Sequence, residues 1–132
     1  MKLFLVNSIR TNNFNDEQIM GKIKNMWEEA YSNLEHHQNS IFGVYYDYES
    51  DYKGDYSLSV GIEESYGKSF IEIPKNEKYE IFKVDTTDEK GVINTWSKIW
   101  EQEEAGLLER AYSYDFEKYS TNGEIEIYIA IK

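Results

Sequence analysis

Two short stretches set aromatic rings beside carboxylates: Tyr114-Asp115-Phe116-Glu117-Lys118-Tyr119 near the C-terminus, and Tyr45-Tyr46-Asp47-Tyr48-Glu49 in the first half. A carboxylate walled by rings is costly to ionise unless a cation pairs with it. Glu117 is therefore the leading charged contact for a positively charged ligand. At ~4 Å and an effective dielectric of ~20, that attraction is roughly 4 kcal/mol before desolvation is subtracted. Ring faces from Trp96, Trp100 and the tyrosines would add ~0.5–2 kcal/mol through cation–π contact. The plainer reading makes Glu117 an exposed strand residue bonded to Lys118 or Arg110. Strict alternation puts Glu117 on the face opposite Tyr114 and Phe116, so a bulge, or a sheet lined on both faces, is needed to bring all three together.

Other chemistries find less support. The adjacent His36 and His37 point in different directions, and no third ligand stands at metal-binding spacing nearby. They read as a solvated helix end. Asp51 and Asp55 lack the full acidic spacing and closing Glu of a calcium loop. There is no nucleophile elbow, phosphate-cradling glycine loop or histidine-based triad. A carboxylate pair, Glu49 with Glu117, remains open as acid and base, and their separation would decide it.

The elements that must position these groups follow from periodicity. Lys2–Arg10 reads as a strand with Leu3, Leu5 and Ile9 on one side. Asn15 is the expected N-cap of a first helix, with Gln18 as capping-box partner and Phe14 and Ile19 as a hydrophobic staple. Ile19, Ile23, Met26, Trp27, Ala30 and Leu34 then form an apolar stripe running to about Glu35. Ile41–Glu49 and Tyr56–Glu63 make a hairpin. A short strand around Ile71–Ile73 and a further strand over Tyr79–Asp85 follow. Thr86 with Glu89 suggests a second capping box, before a helix bearing Val92, Ile93, Trp96, Ile99 and Trp100 and fraying near Gly106. Ala111–Tyr119 and Glu124–Lys132 form the last hairpin, with Ile125, Ile127, Ile129 and Ile131 facing the core.

Trp27 and Trp96 are ~69 residues apart and Tyr46 and Tyr114 ~68 apart, so helix and strand recur together at nearly one offset. That predicts an α+β fold of duplicated strand–helix–hairpin modules, about 1–64 and 69–132, within a single domain over 1–132. A pseudo-twofold axis, a largely antiparallel sheet and a groove at the module junction complete the expectation.

Composition narrows the partners. The 132 residues carry a net charge of −11, which repels a phosphate backbone and favours a cationic ligand or a basic protein surface. The chain has no cysteine and 12 tyrosines, so thiolate metal sites are excluded and polar-tipped aromatic walls are favoured. No stretch approaches transmembrane length, and Leu3–Val6 is too short for a signal-peptide core. The natural reading is a cytoplasmic protein without a cofactor.

Phe42-Gly43-Val44-Tyr45-Tyr46-Asp47-Tyr48-Glu49, Gly54-Asp55-Tyr56 and Val60-Gly61 resemble the first half of a GyrI-like effector-binding domain. Trp96 with Trp100, Arg110-Ala111-Tyr112, Asp115-Phe116-Glu117-Lys118-Tyr119 and Glu126-Ile127-Tyr128-Ile129-Ala130-Ile131 resemble the second. The likeness covers nearly the whole chain and is closest to the stand-alone branch typified by integron-cassette effector-binding proteins. It implies an aromatic pocket with a buried acidic residue that takes cationic or amphipathic drug-like compounds. By motif the acid is Glu117, with Tyr119, Trp96 and Trp100 as wall candidates; Tyr46, Tyr114 and Phe42 complete the candidate ligand contacts. Many relatives carry a helix-turn-helix unit. With the first strand beginning at Lys2, this sequence reads as a stand-alone binder without direct nucleic-acid contact, acting in regulation or drug response through a small molecule and, in one reading, a protein partner. Two alternatives stand beside it. One is hydrolysis of strained cyclopropane-type toxins with Glu117 activating water, and the other is an acidic protein-interaction role such as gyrase inhibition.

Overall fold

The periodic segments assemble into an α+β fold of seven strands and two helices in the computed structural model, which describes all 132 residues. The strands are β1 (Lys2–Thr11), β2 (Ile41–Tyr46), β3 (Tyr56–Ile62), β4 (Phe70–Glu72), β5 (Lys78–Lys83), β6 (Asp115–Tyr119) and β7 (Ile125–Ile131). The helices are α1 (Ile19–Asn33) and α2 (Gly91–Glu104). Every pairing is antiparallel, in the order β4-β1-β3-β2-β6-β7-β5. Strand–helix–hairpin thus occurs twice, and the two copies meet where β2 pairs with β6.

That pairing fixes which residues share a face. Gly43 lies opposite Glu117, and Glu117 opposite Ile127. Val44 lies opposite Phe116, and Phe116 opposite Tyr128. Because side chains alternate along a strand, the first row faces the helices and the second faces away. On the helix side, Met26, Ala30 and Leu34 of the first helical segment pack on Tyr56, Leu58, Val60 and Ile62. Trp96 and Ile99 of α2 pack on Ile127 and Ile129. Leu3, Phe42, Val44, Ile73 and Phe116 form a separate core on the other face. The helices thus cover β3 and β7 and leave the middle strands, β2 and β6, less covered between them.

Five local expectations are corrected. In β1 a bulge between Leu5 and Asn7 inserts one unpaired residue and reverses the alternation. Leu3 therefore joins the outer core, whereas Ile9 packs on the helix side. The first helix begins at Ile19 rather than after Asn15, since Asn12 Oδ1 already accepts the Phe14 and Asn15 amides and Asp16 Oδ1 accepts that of Gln18. Likewise Asp85 and Asp88, not Thr86, bond the turn amides before α2. The C-terminal hairpin starts at Asp115 instead of Ala111, because Tyr112 has φ 56°, a left-handed conformation incompatible with a continuing strand. His37 is also less solvated than expected, with Nε2 3.4 Å from Glu64 Oε1. No helix is long and apolar enough to cross a membrane.

Candidate functional site

The gap between α1 and α2 is a cleft of about 420 Å³, with the middle strands as its floor. Glu117 lies in that floor and is only 3% exposed. Its Oε2 accepts hydrogen bonds from Tyr45 Oη at 2.8 Å and Trp96 Nε1 at 2.7 Å, and its Oε1 accepts one from Tyr119 Oη at 2.7 Å. Burial is the dominant influence and raises the Glu117 pKa above its ordinary value, while the three donors pull the other way. The hydroxyls of Tyr45 and Tyr119 are held protonated by burial and by the neighbouring carboxylate. Two carboxylate oxygens offer about four lone-pair sites. The protein uses three of them, all through neutral donors, so the negative charge is solvated by fixed dipoles but not neutralised.

A residue absence makes this geometry possible. A Cβ at Gly43 would stand 3.0 Å from Trp27 Cζ2 and 3.1 Å from Glu117 Oε1. Glycine on β2 therefore lets the indole and the carboxylate close over the same spot.

The walls are chiefly aromatic. Ile23 and Trp27 come from α1, Trp96 and Trp100 from α2, and Tyr45, Tyr48 and Tyr56 from the first hairpin. Tyr45 meets Trp96 edge-on at 4.9 Å, and Trp27 meets Tyr119 edge-on at 5.1 Å. Such pairs fix ring orientation. Phe14, Met20 and Ile93 line the mouth and remain 57%, 67% and 56% exposed.

One cationic side chain lines the cleft. Arg110 is 3% exposed, with Nη2 at 2.7 Å from Asp115 Oδ2 and its guanidinium 5.9 Å from the Trp96 ring. Burial is the largest influence and works against its charge, but Asp115, Tyr48 and Tyr112 together outweigh it and the guanidinium stays protonated. Asp115 also accepts from Tyr48 Oη at 2.5 Å and from the Ala130 amide at 2.8 Å. Arg110 and Asp115 thus neutralise one another, and Glu117 is left as the unpaired charge of the floor.

The structure brings Glu117, Tyr119, Trp96 and Trp100 together in this cleft. It does not bring Tyr46, Tyr114 and Phe42 there. Tyr46 and Tyr114 stack on each other at 6.0 Å on the outer face, and Phe42 packs against Phe116 at 5.8 Å in the outer core. The reason is alternation: with no bulge in β2 or β6, residues next to Tyr45 or Glu117 in register parity must point away. Glu49 is exposed in the turn after β2 and lies outside the cleft lining, so no Glu49–Glu117 pair is assembled. Sequence reasoning missed Tyr45, Tyr48, Tyr56, Trp27, Gly43 and Arg110 as parts of the site. The same alternation signal, applied to β2 from Glu117's facing strand, points to Gly43 and Tyr45. Nothing in the sequence alone aligns β2 with β6.

Comparison with known proteins bears on this arrangement. A family model described as Cass2, integron-associated effector binding protein, matches residues 4–131. The chain is 27% identical over 153 residues to a Bacillus subtilis (strain 168) protein named "Putative transcriptional regulator protein YobU", covering all of this chain and 93% of that one. The crystal structure of the integron cassette protein VCH_CASS2, from the mobile metagenome of Vibrio cholerae, superposes with a TM-score of 0.76 at 26% identity, covering 99% of this chain and 88% of that one.

Proposed function

Since this chain belongs to the family of integron-associated effector-binding proteins, whose fold it shares and which is in keeping with a GyrI-like effector-binding domain, we propose that its effector is a lipophilic aromatic cation held between α1 and α2. The observation that carries this reading is the buried, un-neutralised carboxylate of Glu117 at the bottom of a cleft walled by aromatic rings. A cation entering the cleft supplies the countercharge that the protein withholds, worth roughly 4 kcal/mol at ~4 Å before the ligand's own desolvation. Trp96 and Tyr45 present ring surface beside that charge, adding ~0.5–2 kcal/mol. The exposed Phe14, Met20 and Ile93 give the apolar part of the ligand somewhere to bury.

Because Tyr45, Tyr119 and Trp96 already occupy most of the carboxylate's lone pairs, selection rests on charge and shape rather than on a dedicated hydrogen bond. Glu117, Tyr119, Trp96 and Trp100 are the ligand contacts in this reading, joined by Tyr45 and Trp27. The regulatory name of the Bacillus relative supports a place for this binding event in a transcriptional or drug response, with a partner protein reading the occupied state.

The test is a titration of intrinsic tryptophan fluorescence with cationic, neutral and anionic aromatic compounds of matched size. Saturable quenching by the cations, weaker response to neutral compounds and none to anions is the expected result. Equal response to all three classes, or none to any, overturns the proposal.

A further inference from the structure

A second hollow of about 600 Å³ opens on the outer side of the cleft wall, along the C-terminal half of α2. It shares Phe14, Tyr52 and Trp100 with the cleft, so these three rings form a partition between two adjoining spaces. Tyr52 and Trp100 stack at 5.6 Å with 15° between their planes, and Phe14 leans on both at 5.9 and 6.0 Å. The far rim of the hollow carries Glu101 and Glu104. Glu104 accepts from Tyr52 Oη at 2.5 Å and sits 3.7 Å from Lys53 Nζ. Lys53 offsets one of the two rim charges, and the hollow keeps a net negative charge.

Continuity, charge and the distribution of unburied apolar surface all point the same way. The exposed Phe14 ring lies on the route from one space to the other, and nothing in the fold covers it. We propose that the two spaces are compartments of one site, and that the preferred ligand is an elongated bis-cation. One charged aromatic end sits over Glu117, an apolar linker crosses Phe14 and Trp100, and the second cationic end rests at Glu101 and Glu104. This rests on the reading of the cleft as a cation site and deepens it. The helix gives the axial part of the spacing. Trp96, which touches Glu117, lies five and eight residues before Glu101 and Glu104 on α2, or about 8–12 Å along the axis at 1.5 Å per residue. The second contact is exposed and partly screened, so its contribution is modest, and linkage makes it intramolecular.

A series of bis-pyridinium compounds with increasing alkyl spacers, compared with the matching alkyl-pyridinium monocation by calorimetry, tests this on the wild-type chain and on E101Q/E104Q. A roughly tenfold tighter binding of the bis-cation is expected at a charge separation of about 10 Å. In the double variant the bis-cation should fall to monocation affinity, while the monocation itself binds unchanged, which also reports that the fold is intact. Monocation binding with no bis-cation advantage, or an advantage that survives the double substitution, overturns the second compartment and leaves the cleft reading standing. Failure of both compounds to bind overturns both.

Discussion

Glu117→Gln separates the charge of the floor from its shape. Of the three groups that donate to Glu117, Trp96 Nε1 can only donate, whereas the tyrosine hydroxyls can also accept. A glutamine can keep its carbonyl oxygen towards Trp96 and Tyr45 and turn its amide towards Tyr119 Oη, so the hydrogen-bonded frame survives. What goes is the negative charge. The raw attraction to a cation is roughly 4 kcal/mol, and interactions with a charged partner retain about 1.5–3 kcal/mol after desolvation. Cation affinity should therefore weaken roughly 10- to 100-fold, with affinity for a neutral isostere little changed. Stability should move in the opposite direction. Burial raises the Glu117 pKa above 4.5, so the native state holds its proton more tightly than the unfolded chain. The stability due to this group is therefore complete below pH 4.5 and lost as pH rises through the folded value. The unliganded glutamine variant lacks that loss, and should melt higher relative to wild type at pH 8 than at pH 4. Fluorescence titration with a cation and its neutral isostere, together with thermal melts at both pH values, measures both effects. Equal loss of the cation and the neutral compound would refute the argument, because it would mean a distorted cleft. A variant that loses stability relative to wild type as pH rises would refute it too.

The remaining predictions concern the same geometry. Cation affinity in the wild type should decline as pH falls through the raised pKa of Glu117, while neutral-ligand affinity stays flat; parallel titrations from pH 4 to 8 distinguish the two. Gly43→Ala should cost about 1–3 kcal/mol in chemical denaturation and weaken ligand binding, since the new methyl meets both Trp27 and Glu117. Tyr46→Phe and Tyr114→Phe should leave ligand affinity within about twofold, the level expected of changes within ±0.5 kcal/mol outside a site, because both rings stack on the outer face. Ile129→Ala should destabilise by about 2–5 kcal/mol, since Ile129 is fully buried beneath α2.

The likeness between Trp27–Tyr46 and Trp96–Tyr114, together with the apolar stripes of the helices, makes the strand–helix–hairpin order legible in the sequence alone. Element ends were less so. Asn12, Asp16, Asp85 and Asp88 bond turn amides outside the helices. These acceptors compete with the expected caps, and a capping pattern in sequence does not say which competitor wins.

The period of two also fixed something about the site. It sets Glu117 and Phe116 on opposite faces whatever the fold, so the two could never share a pocket on an unbulged strand. Only tertiary pairing decided which face was the ligand side and what else stood on it. β2 and β6 are brought into register across 72 residues of chain, placing Tyr45 within hydrogen-bond reach of Glu117 and Gly43 directly opposite it. The helices then settle over the flanking strands and leave the carboxylate beneath a gap. Local sequence determines periodicity because a side chain's direction depends on its own backbone. The composition of the cleft depends on which distant strands bury one another, and that is decided by the whole core at once.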